Sequence, residues 1–411
     1  MKQSLKLVIL QIFSIILGFI SVFWIASSIP TKEYAIIGIY NIISVLILVF
    51  SNTGLESVGI RNILVWQKSN KKHKIRLLIT RAIILRFVVS ILIFLPLIVY
   101  SYYISLNKFN SNYFDLFLVM GLLSIPKAIN DSTILILKAF NKYFQAILTS
   151  YTINVFGKII ALILYVKYGF ITYIYFIMLL PLLLNIPILY MLREYISFKG
   201  IFNFKEIKES LKESKFFAFS SYISYLFNSI DQLLVSIFVS AEFLGSFTLA
   251  KSLLSMSKTF IENIFDPMTQ RLVKHKNIIN NLRIELEKIL IIKKYIFILS
   301  LILFPVIIIF LDNILISLNL DKYQFLDYFI IGIYFSQVLY IYSKVKYNLI
   351  FLFYPEKNFF RVTLLRSIIS IFFMVITLFI NIKLIFIYII AANIYITIHS
   401  NILFKKYFSL K

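Results

Sequence analysis

Residues 77–100 read LLITRAIILRFVVSILIFLPLIVY. The run is apolar from end to end, with Arg81 and Arg86 as its only charges. About 20 mostly apolar residues make a helix long enough to cross the hydrocarbon of a bilayer. The run lacks the apolar–polar alternation of a membrane barrel strand, so it reads as a membrane helix. The same pattern recurs at about 7–29, 34–51, 114–137, 144–166, 170–192, 215–239, 243–265, 289–311, 325–345, 361–380 and 383–404. Twelve such stretches predict an all-α integral membrane protein.

Bulk composition agrees. Of 411 residues, 60% are hydrophobic and 15% charged, and the mean hydropathy is +0.90. A soluble domain carries about 25% charged residues because its surface faces water. This chain has too few charges to cover a globule of its size, so lipid is its main solvent. There is no cysteine, which excludes disulfides and thiolate metal sites. His73, His275 and His399 are scattered, no HExxH or similar spacing occurs, and no Gly-rich phosphate loop is present. Neither a metal, a cofactor nor an ATPase motif is expected. The first stretch is longer than the apolar core of a signal peptide and is followed at once by another span, so it reads as a helix that stays.

Loop charge gives the orientation. With the N-terminus inside, the inner connections carry Arg61, Lys68, Lys71, Lys72, Lys74 and Arg76, then Lys138 and Lys142. They also carry Arg193, Lys199, Lys205, Lys208, Lys212 and Lys215; Arg271, Lys274, Lys276, Arg283 and Lys288; and Lys344, Lys346, Lys357 and Arg361. Lys2, Lys6, Lys405, Lys406 and Lys411 flank the termini. The outer connections carry only Lys32, Lys108, Lys167, Lys322 and Lys383. Lysine and arginine accumulate on the cytoplasmic side, so both termini are expected in the cytoplasm and the protein in the inner membrane of a bacterium. The same rule accounts for the net charge of +24 without any nucleic-acid partner.

The two halves look alike. Lys6 precedes the first span as Lys215 precedes the seventh. Thr31-Lys32-Glu33-Tyr34 after the first matches Ser240-Ala241-Glu242-Phe243 after the seventh. Asn141-Lys142-Tyr143-Phe144 matches Glu356-Lys357-Asn358-Phe359. The pairs share nearly one offset, which predicts two six-helix bundles, 1–200 and 201–411, in the same orientation. An amphipathic piece at about 201–214, alternating Lys205, Glu206, Lys208, Glu209, Lys212 and Glu213, would link them as a surface helix. Transporters built from such repeats hold substrate between the halves. All loops are short, so no soluble catalytic domain is expected.

Charges inside spans are costly and mark function by default. Arg86, Lys127, Lys158, Asp231, Lys251 and Lys258 lie deepest; Arg81, Glu262, Asp266 and Arg366 sit nearer the inner ends and can snorkel. Lys127 and Asp131 are one helical turn apart and share a face, so mutual neutralisation competes with function. Lys251 and Lys258 are two turns apart, about 10.5 Å along one face, with Ser255 between them and Glu262 continuing the stripe. The excess of cations suits an anionic substrate bound by Arg86, Lys127, Lys158, Lys251 and Lys258. Structural pairing is the competing reading. Asp131, Asp231 and Glu262 are candidates for ion coupling. Gln11, Asn41, Asn154, Asn185 and Asn228 read as interhelical hydrogen-bonding groups.

At this point the chain resembles the polysaccharide and O-antigen flippases of the multidrug/oligosaccharidyl-lipid/polysaccharide (MOP) exporter superfamily. The likeness rests on Ser51-Asn52-Thr53-Gly54-Leu55-Glu56 with Arg61 beyond it, and on Asp231-Gln232-Leu233-Leu234. It also rests on Ala241-Glu242-Phe243-Leu244-Gly245-Ser246-Phe247, Asp266-Pro267, and Leu137-Lys138-Ala139-Phe140-Asn141-Lys142. Ala139 stands where the family commonly has glycine. The resemblance implies a non-enzymatic protein that flips an undecaprenyl-pyrophosphate-linked oligosaccharide repeat unit through a cationic cavity, coupled to an ion gradient, for O-antigen or capsular polysaccharide synthesis. Its partners would be the lipid-linked substrate, membrane lipids, and polysaccharide polymerase and chain-length proteins. Two alternatives remain open: a multidrug/cation antiporter of the same superfamily, which a cationic interior disfavours, and a membrane polysaccharide polymerase or ligase, which would need larger outer loops.

The orientation is directly testable. Reporter fusions at Lys72, Lys205 and Lys276 should read cytoplasmic, and those at Lys108 and Asn319 periplasmic. A periplasmic signal at Lys72 would reverse the topology.

Overall fold

The computed structural model describes residues 16–109, 113–140, 142–197, 204–274, 279–353 and 356–408. Among them there is no strand. The helices are α1 (Ile16–Ser28), α2 (Thr31–Phe50), α3 (Leu55–Lys68), α4 (Lys72–Phe109), α5 (Phe114–Ala139), α6 (Tyr143–Tyr151) and α7 (Gly157–Tyr168). There follow α8 (Phe170–Leu192), α9 (Phe204–Phe238), α10 (Ala241–Lys274), α11 (Ile279–Ser317), α12 (Leu326–Phe353), α13 (Glu356–Ile380) and α14 (Ile387–Phe408). Within the described residues each of the twelve expected stretches falls on helix, the first of them, about 7–29, being described only from Ile16 onward. Seven helices among the described residues are long and apolar enough to cross a membrane, and α1 and the end of α9 are shorter apolar pieces. Charges such as Lys251, Lys258 and Glu262 on α10 dilute the apolarity of the helices that fall short of that measure. The chain is a multi-pass, all-helical membrane protein.

Three local details depart from the sequence reading. The stretch 144–166 is split: a π-turn at Thr152–Phe156 separates α6 from α7. The segment after the second span, expected as loop, forms α3, because Val58 and Ile63 pack with Ile75, Ile79, Ile134 and Leu137 in one buried cluster. The expected surface helix at 201–214 is no separate element: from Phe204 onward it is the first part of α9, with Lys208, Glu209, Leu211 and Lys212 exposed. Residues 201–203 lie outside the described residues, as do Gln11 and both chain ends.

The described residues cluster into two compact units. The first holds those before Val22 together with Lys32–Gly245, so α9 belongs to it; the second holds Val22–Thr31 and Ser246 onward. Hydrogen bonds at helix ends explain the two transfers. A helix C-terminus leaves carbonyls without intrahelical partners. At the end of α9, Lys108 Nζ donates to the Val239 carbonyl at 2.6 Å, and Tyr100 bonds Ser236 at 2.8 Å, so α4 holds α9 in the first unit. At the end of α1, the Tyr323 hydroxyl donates to Ala26 O at 2.9 Å and Lys322 Nζ to Ser27 O at 2.8 Å. The α11–α12 turn thereby claims 22–31 for the second unit.

Within the first unit α5 packs on α3, α4 and α8. Lipid gives helices no hydrophobic reason to associate, so polar bonds and close packing join them. Ser44 meets Ser124 at 2.8 Å, and Asn185 Nδ2 reaches the Pro126 carbonyl at 2.7 Å, which bears out Asn185 as an interhelical hydrogen-bonding group. Within the second unit α12 packs on α11, α13 and α14. One buried core there joins Phe265 and Leu272 of α10 to Leu286 and Ile289 of α11 and Val345 and Leu349 of α12.

Gly54 shapes the α2–α3 turn. Its φ of +75° is in the left-handed region, where a Cβ is strained. Asn52 Oδ1 accepts its N–H at 2.9 Å, and Ser214 of α9 donates to the Thr53 carbonyl at 2.8 Å. A Cβ on Gly54 would stand 2.6 Å from Ser214 O and 2.8 Å from Ala218 N. Gly169 also has positive φ, +86°, but nothing lies within 4 Å of its Cβ position. Gly54→Ala therefore combines strain with a backbone clash and should cost well over about 1 kcal/mol, whereas Gly169→Ala carries strain alone. In detergent, thermal melts should rank Gly54→Ala clearly below Gly169→Ala. Equal melts would mean that the turn does not depend on its approach to α9.

Candidate functional site: interior charges in the two units

In the first unit, Leu55 opens α3 and places Glu56 in its first turn, where a negative charge meets the positive end of the helix dipole. Glu56 Oε1 accepts from Arg86 Nη1 at 2.8 Å and from Ser132 Oγ at 2.7 Å. Arg86 Nη2 donates to the Leu48 carbonyl near the end of α2 at 3.1 Å. The Arg86 and Glu56 side chains are 2% and 1% exposed. Arg86, expected among substrate-binding cations, is thus the partner of a buried carboxylate and a fastener of α2, α3, α4 and α5. In the sequence Glu56 stands at the end of the turn motif Ser51-Asn52-Thr53-Gly54-Leu55-Glu56. A deep arginine on α4 that needs a counter-charge was the available signal, but no spacing rule connects positions so far apart.

Lys127 follows Pro126 on α5. Its ammonium stands 4.8 Å from the centroid of the Tyr40 ring on α2, a cation–π contact. Asp131, one turn on, lies within electrostatic reach of Arg86, Lys127 and Lys138. Lys158 on α7, just past the π-turn, is within reach of Lys127. Interrupted helices of this kind often occur at functional sites. The structure thus gathers Arg86, Lys127, Asp131 and Lys158 in one region of the first unit. Asp231 is fully buried on α9, and its Oδ1 accepts the N–H of Gln232 at 2.7 Å.

In the second unit α10 carries the expected stripe. Lys251 Nζ is 3.5 Å from the Tyr388 hydroxyl. Lys258 is within electrostatic reach of Glu262, Arg366, Lys344 and Lys251. Ser255 between them is exposed. Glu262 Oε1 accepts from the Tyr340 hydroxyl at 2.7 Å and pairs with Lys344 at 3.5 Å. Glu262, expected as a coupling candidate, is therefore bound to α12. Lys344 was read as a loop charge; it is buried, with 6% side-chain exposure. The side chain of Asp266 lies outside the described ones.

In the second unit Lys258 lies within electrostatic reach of Lys251, Lys344 and Arg366 and of the carboxylate Glu262, and such a local excess of positive charge favours anions. Among the described residues no group of three His, Asp or Glu is placed to hold a metal ion.

Comparisons with known proteins follow from this architecture. No curated protein matches the chain. Among solved structures, an inward-facing multidrug resistance MATE family transporter of the MOP superfamily is similar over 97% of this chain and 94% of its own, with a TM-score of 0.70 and 13% identity. The lipid II flippase MurJ, in an inward closed conformation, is similar over 97% and 87%, with a TM-score of 0.69 and 16% identity. A MOP superfamily transporter from Pyrococcus furiosus, whose binding pocket is described as of reverse polarity, is similar over 97% and 93%, with a TM-score of 0.65 and 15% identity. At such identities the likeness gives the fold: two bundles of six helices in the MOP arrangement. The model of the family described as "Polysaccharide biosynthesis protein" matches residues 1–272, and the chain therefore belongs to that family.

Proposed function

We propose that the protein flips an undecaprenyl-pyrophosphate-linked oligosaccharide repeat unit across the bacterial inner membrane, for O-antigen or capsular polysaccharide synthesis. The two six-helix halves, about 1–200 and 201–411, would alternate access around the substrate, with both termini cytoplasmic. The observation that carries this reading is the excess of interior cations. Two phosphates carry about two negative charges, which cannot enter hydrocarbon uncompensated. Ammonium groups in a wet interior replace part of the lost hydration. Lys127, Lys158, Lys251 and Lys258 are the proposed substrate-binding residues. Arg86 contributes as a group already offset by Glu56. Polysaccharide polymerase and chain-length proteins are the proposed downstream partners.

The multidrug antiporters among the structural neighbours make cation export the second reading. The charge balance of α10 and its neighbours disfavours it, since lysines repel a cationic drug.

Lys251→Ala with Lys258→Ala should abolish most glycan export in a deletion strain at equal protein level, while the double Lys→Arg variant keeps an appreciable share. Full export by the alanine pair would remove the electrostatic argument. Asp131, Asp231 and Glu262 are the proposed coupling groups, with Asp131 favoured because it lies among the cations of the first unit. Asp131→Asn should uncouple transport from a proton gradient collapsed and restored in vesicles. Normal coupling in both Asp131→Asn and Asp231→Asn would leave carboxylate coupling at these aspartates without support.

A further inference from the structure

Where α8 ends, in the first unit, two arginines from different helices come together. Arg193 follows the last residue of α8 and opens a short 3₁₀ turn, Arg193–Tyr195. Its guanidinium carbon stands 4.2 Å from the centroid of the Tyr190 ring, a cation–π contact. Arg76, near the start of α4, donates from Nε to the carbonyl of Glu194, the next residue of that turn, at 2.9 Å. The Ser197 N–H donates to Thr80 Oγ1 at 2.9 Å, and the Tyr195 and Phe140 ring centroids are 4.5 Å apart. The turn is thus fixed to α4 and to the end of α5. Lys72 stands four residues before Arg76, on the same face of α4, and is exposed, as are Arg76 and Arg193. The ring and the carbonyl that hold the two guanidinium groups are neutral, so they orient these groups without cancelling their charge. The one carboxylate of the turn, Glu194, is exposed and forms no ion pair with either arginine; these three cations outnumber it. No acidic residue stands in the first turn of α4, so the helix dipole there adds to the positive charge.

Both arginines mark the edge of an apolar span. Arg76 immediately precedes the run that begins at Leu77, and Arg193 immediately follows the run that ends at Leu192. Two helices thus reach one boundary independently, and at that boundary the hydrocarbon gives way to the headgroups. An apolar track leads away from it along α8. Leu179, Leu183, Ile186 and Tyr190 recur every three or four residues and so share one face, at 40%, 56%, 68% and 63% exposure. In a bilayer, alkyl chains cover such a face, and the cations stand at its polar end. On the topology proposed above, that end lies in the cytoplasmic leaflet.

We propose that Lys72, Arg76 and Arg193 form a site for the phosphate of an anionic membrane lipid, whose acyl chains lie along the exposed face of α8. Basic pockets between transmembrane helices on the cytoplasmic side recognise such headgroups. A guanidinium presents paired N–H donors that match phosphate oxygens, and Lys72 adds a point charge. A zwitterionic headgroup brings an ammonium of its own, which these cations repel, so the site discriminates by headgroup charge. It involves none of the interior lysines and stands or falls separately from them.

The test uses the full chain in detergent with added phosphatidylglycerol or phosphatidylcholine, read by native mass spectrometry and by thermal melts. Phosphatidylglycerol should bind and raise the melting temperature, and phosphatidylcholine should not. Lys72→Gln with Arg193→Gln leaves the Arg76 bond to Glu194 in place. Its phosphatidylglycerol affinity should fall roughly 30-fold, from about a fivefold loss per charge at the membrane surface. Lys72→Arg with Arg193→Lys should retain most of the binding, which separates lost charge from lost folding. Lys167→Gln with Lys383→Gln removes as many charges from the outer connections and should leave binding unchanged. Three results overturn the proposal: equal binding of both lipids, undiminished phosphatidylglycerol binding by the Lys72 and Arg193 glutamine pair, or an equal loss in the Lys167 and Lys383 pair. Glycerol phosphate in solution should not reproduce the melting shift. If it does, the site takes a soluble phosphate and the lipid assignment is wrong.

Discussion

The ion pair between Glu56 and Arg86 is the constraint on which the first unit turns. Taking two charges out of water is costly, and their attraction repays this only with good geometry and further hydrogen bonds. Here Ser132 and the Leu48 carbonyl supply those bonds, so one cluster joins four helices. Removing one partner of a buried pair typically costs about 3–5 kcal/mol, because the survivor stays buried without compensation. The position of Glu56 depends in turn on the left-handed turn at Gly54. The close approach of that turn to Ser214 and Ala218 fixes where α9 meets α3. Turn, carboxylate and arginine are therefore one device, and it explains why a motif that looked like a loop signature reaches into the centre of the bundle.

The second unit settles its charges differently. α12 has lysines on opposite faces, and their environments differ in kind. Lys344 meets a carboxylate that is itself held by a tyrosine hydroxyl. Lys293 and Lys346 meet a ring face, a carbonyl and an amide. The first arrangement neutralises and locks α10 to α12. The second concentrates positive charge in a weakly polar setting, where charges interact more strongly than in water. A helix bundle needs the first kind for integrity.

Much of the fold was legible because lipid imposes one rule on every span. An apolar run such as 77–100 has few alternatives, so the helices at those positions follow from length and composition alone. α3 was not legible: its amphipathic face, with Val58 and Ile63, is too short to stand out beside long membrane spans. The π-turn at Thr152–Phe156 has no composition of its own. For the interior charges, sequence located the residues but not their partners. Lys127 with Asp131 and Lys251 with Lys258 share a helix, so helical periodicity relates them. Arg86 with Glu56 and Lys344 with Glu262 do not, and only packing brings them together. Lysines close to a span end were the hardest to read, because the same residue serves as a topology signal, a snorkelling group or a buried partner.

That ambiguity bears on function. A charge at the centre of a membrane helix costs roughly 2.5–3.5 kcal/mol on insertion scales, so each interior lysine must be offset in the resting protein. Arg86 is offset by Glu56 and Lys344 by Glu262. Lys127 leans on the Tyr40 ring, worth at most about 2 kcal/mol when desolvated, and on the nearby Asp131. Lys258 shares Glu262 with Lys344 and stands within reach of two further cations, Arg366 and Lys251. Lys258 thus shares the Glu262 carboxylate and lies near three cations, so it gains from an anion that brings its own charge. On the proposed function, the substrate supplies that counter-charge only while it is bound. The two loading states then differ in electrostatic energy, and a transporter needs such a difference to bias its conformations.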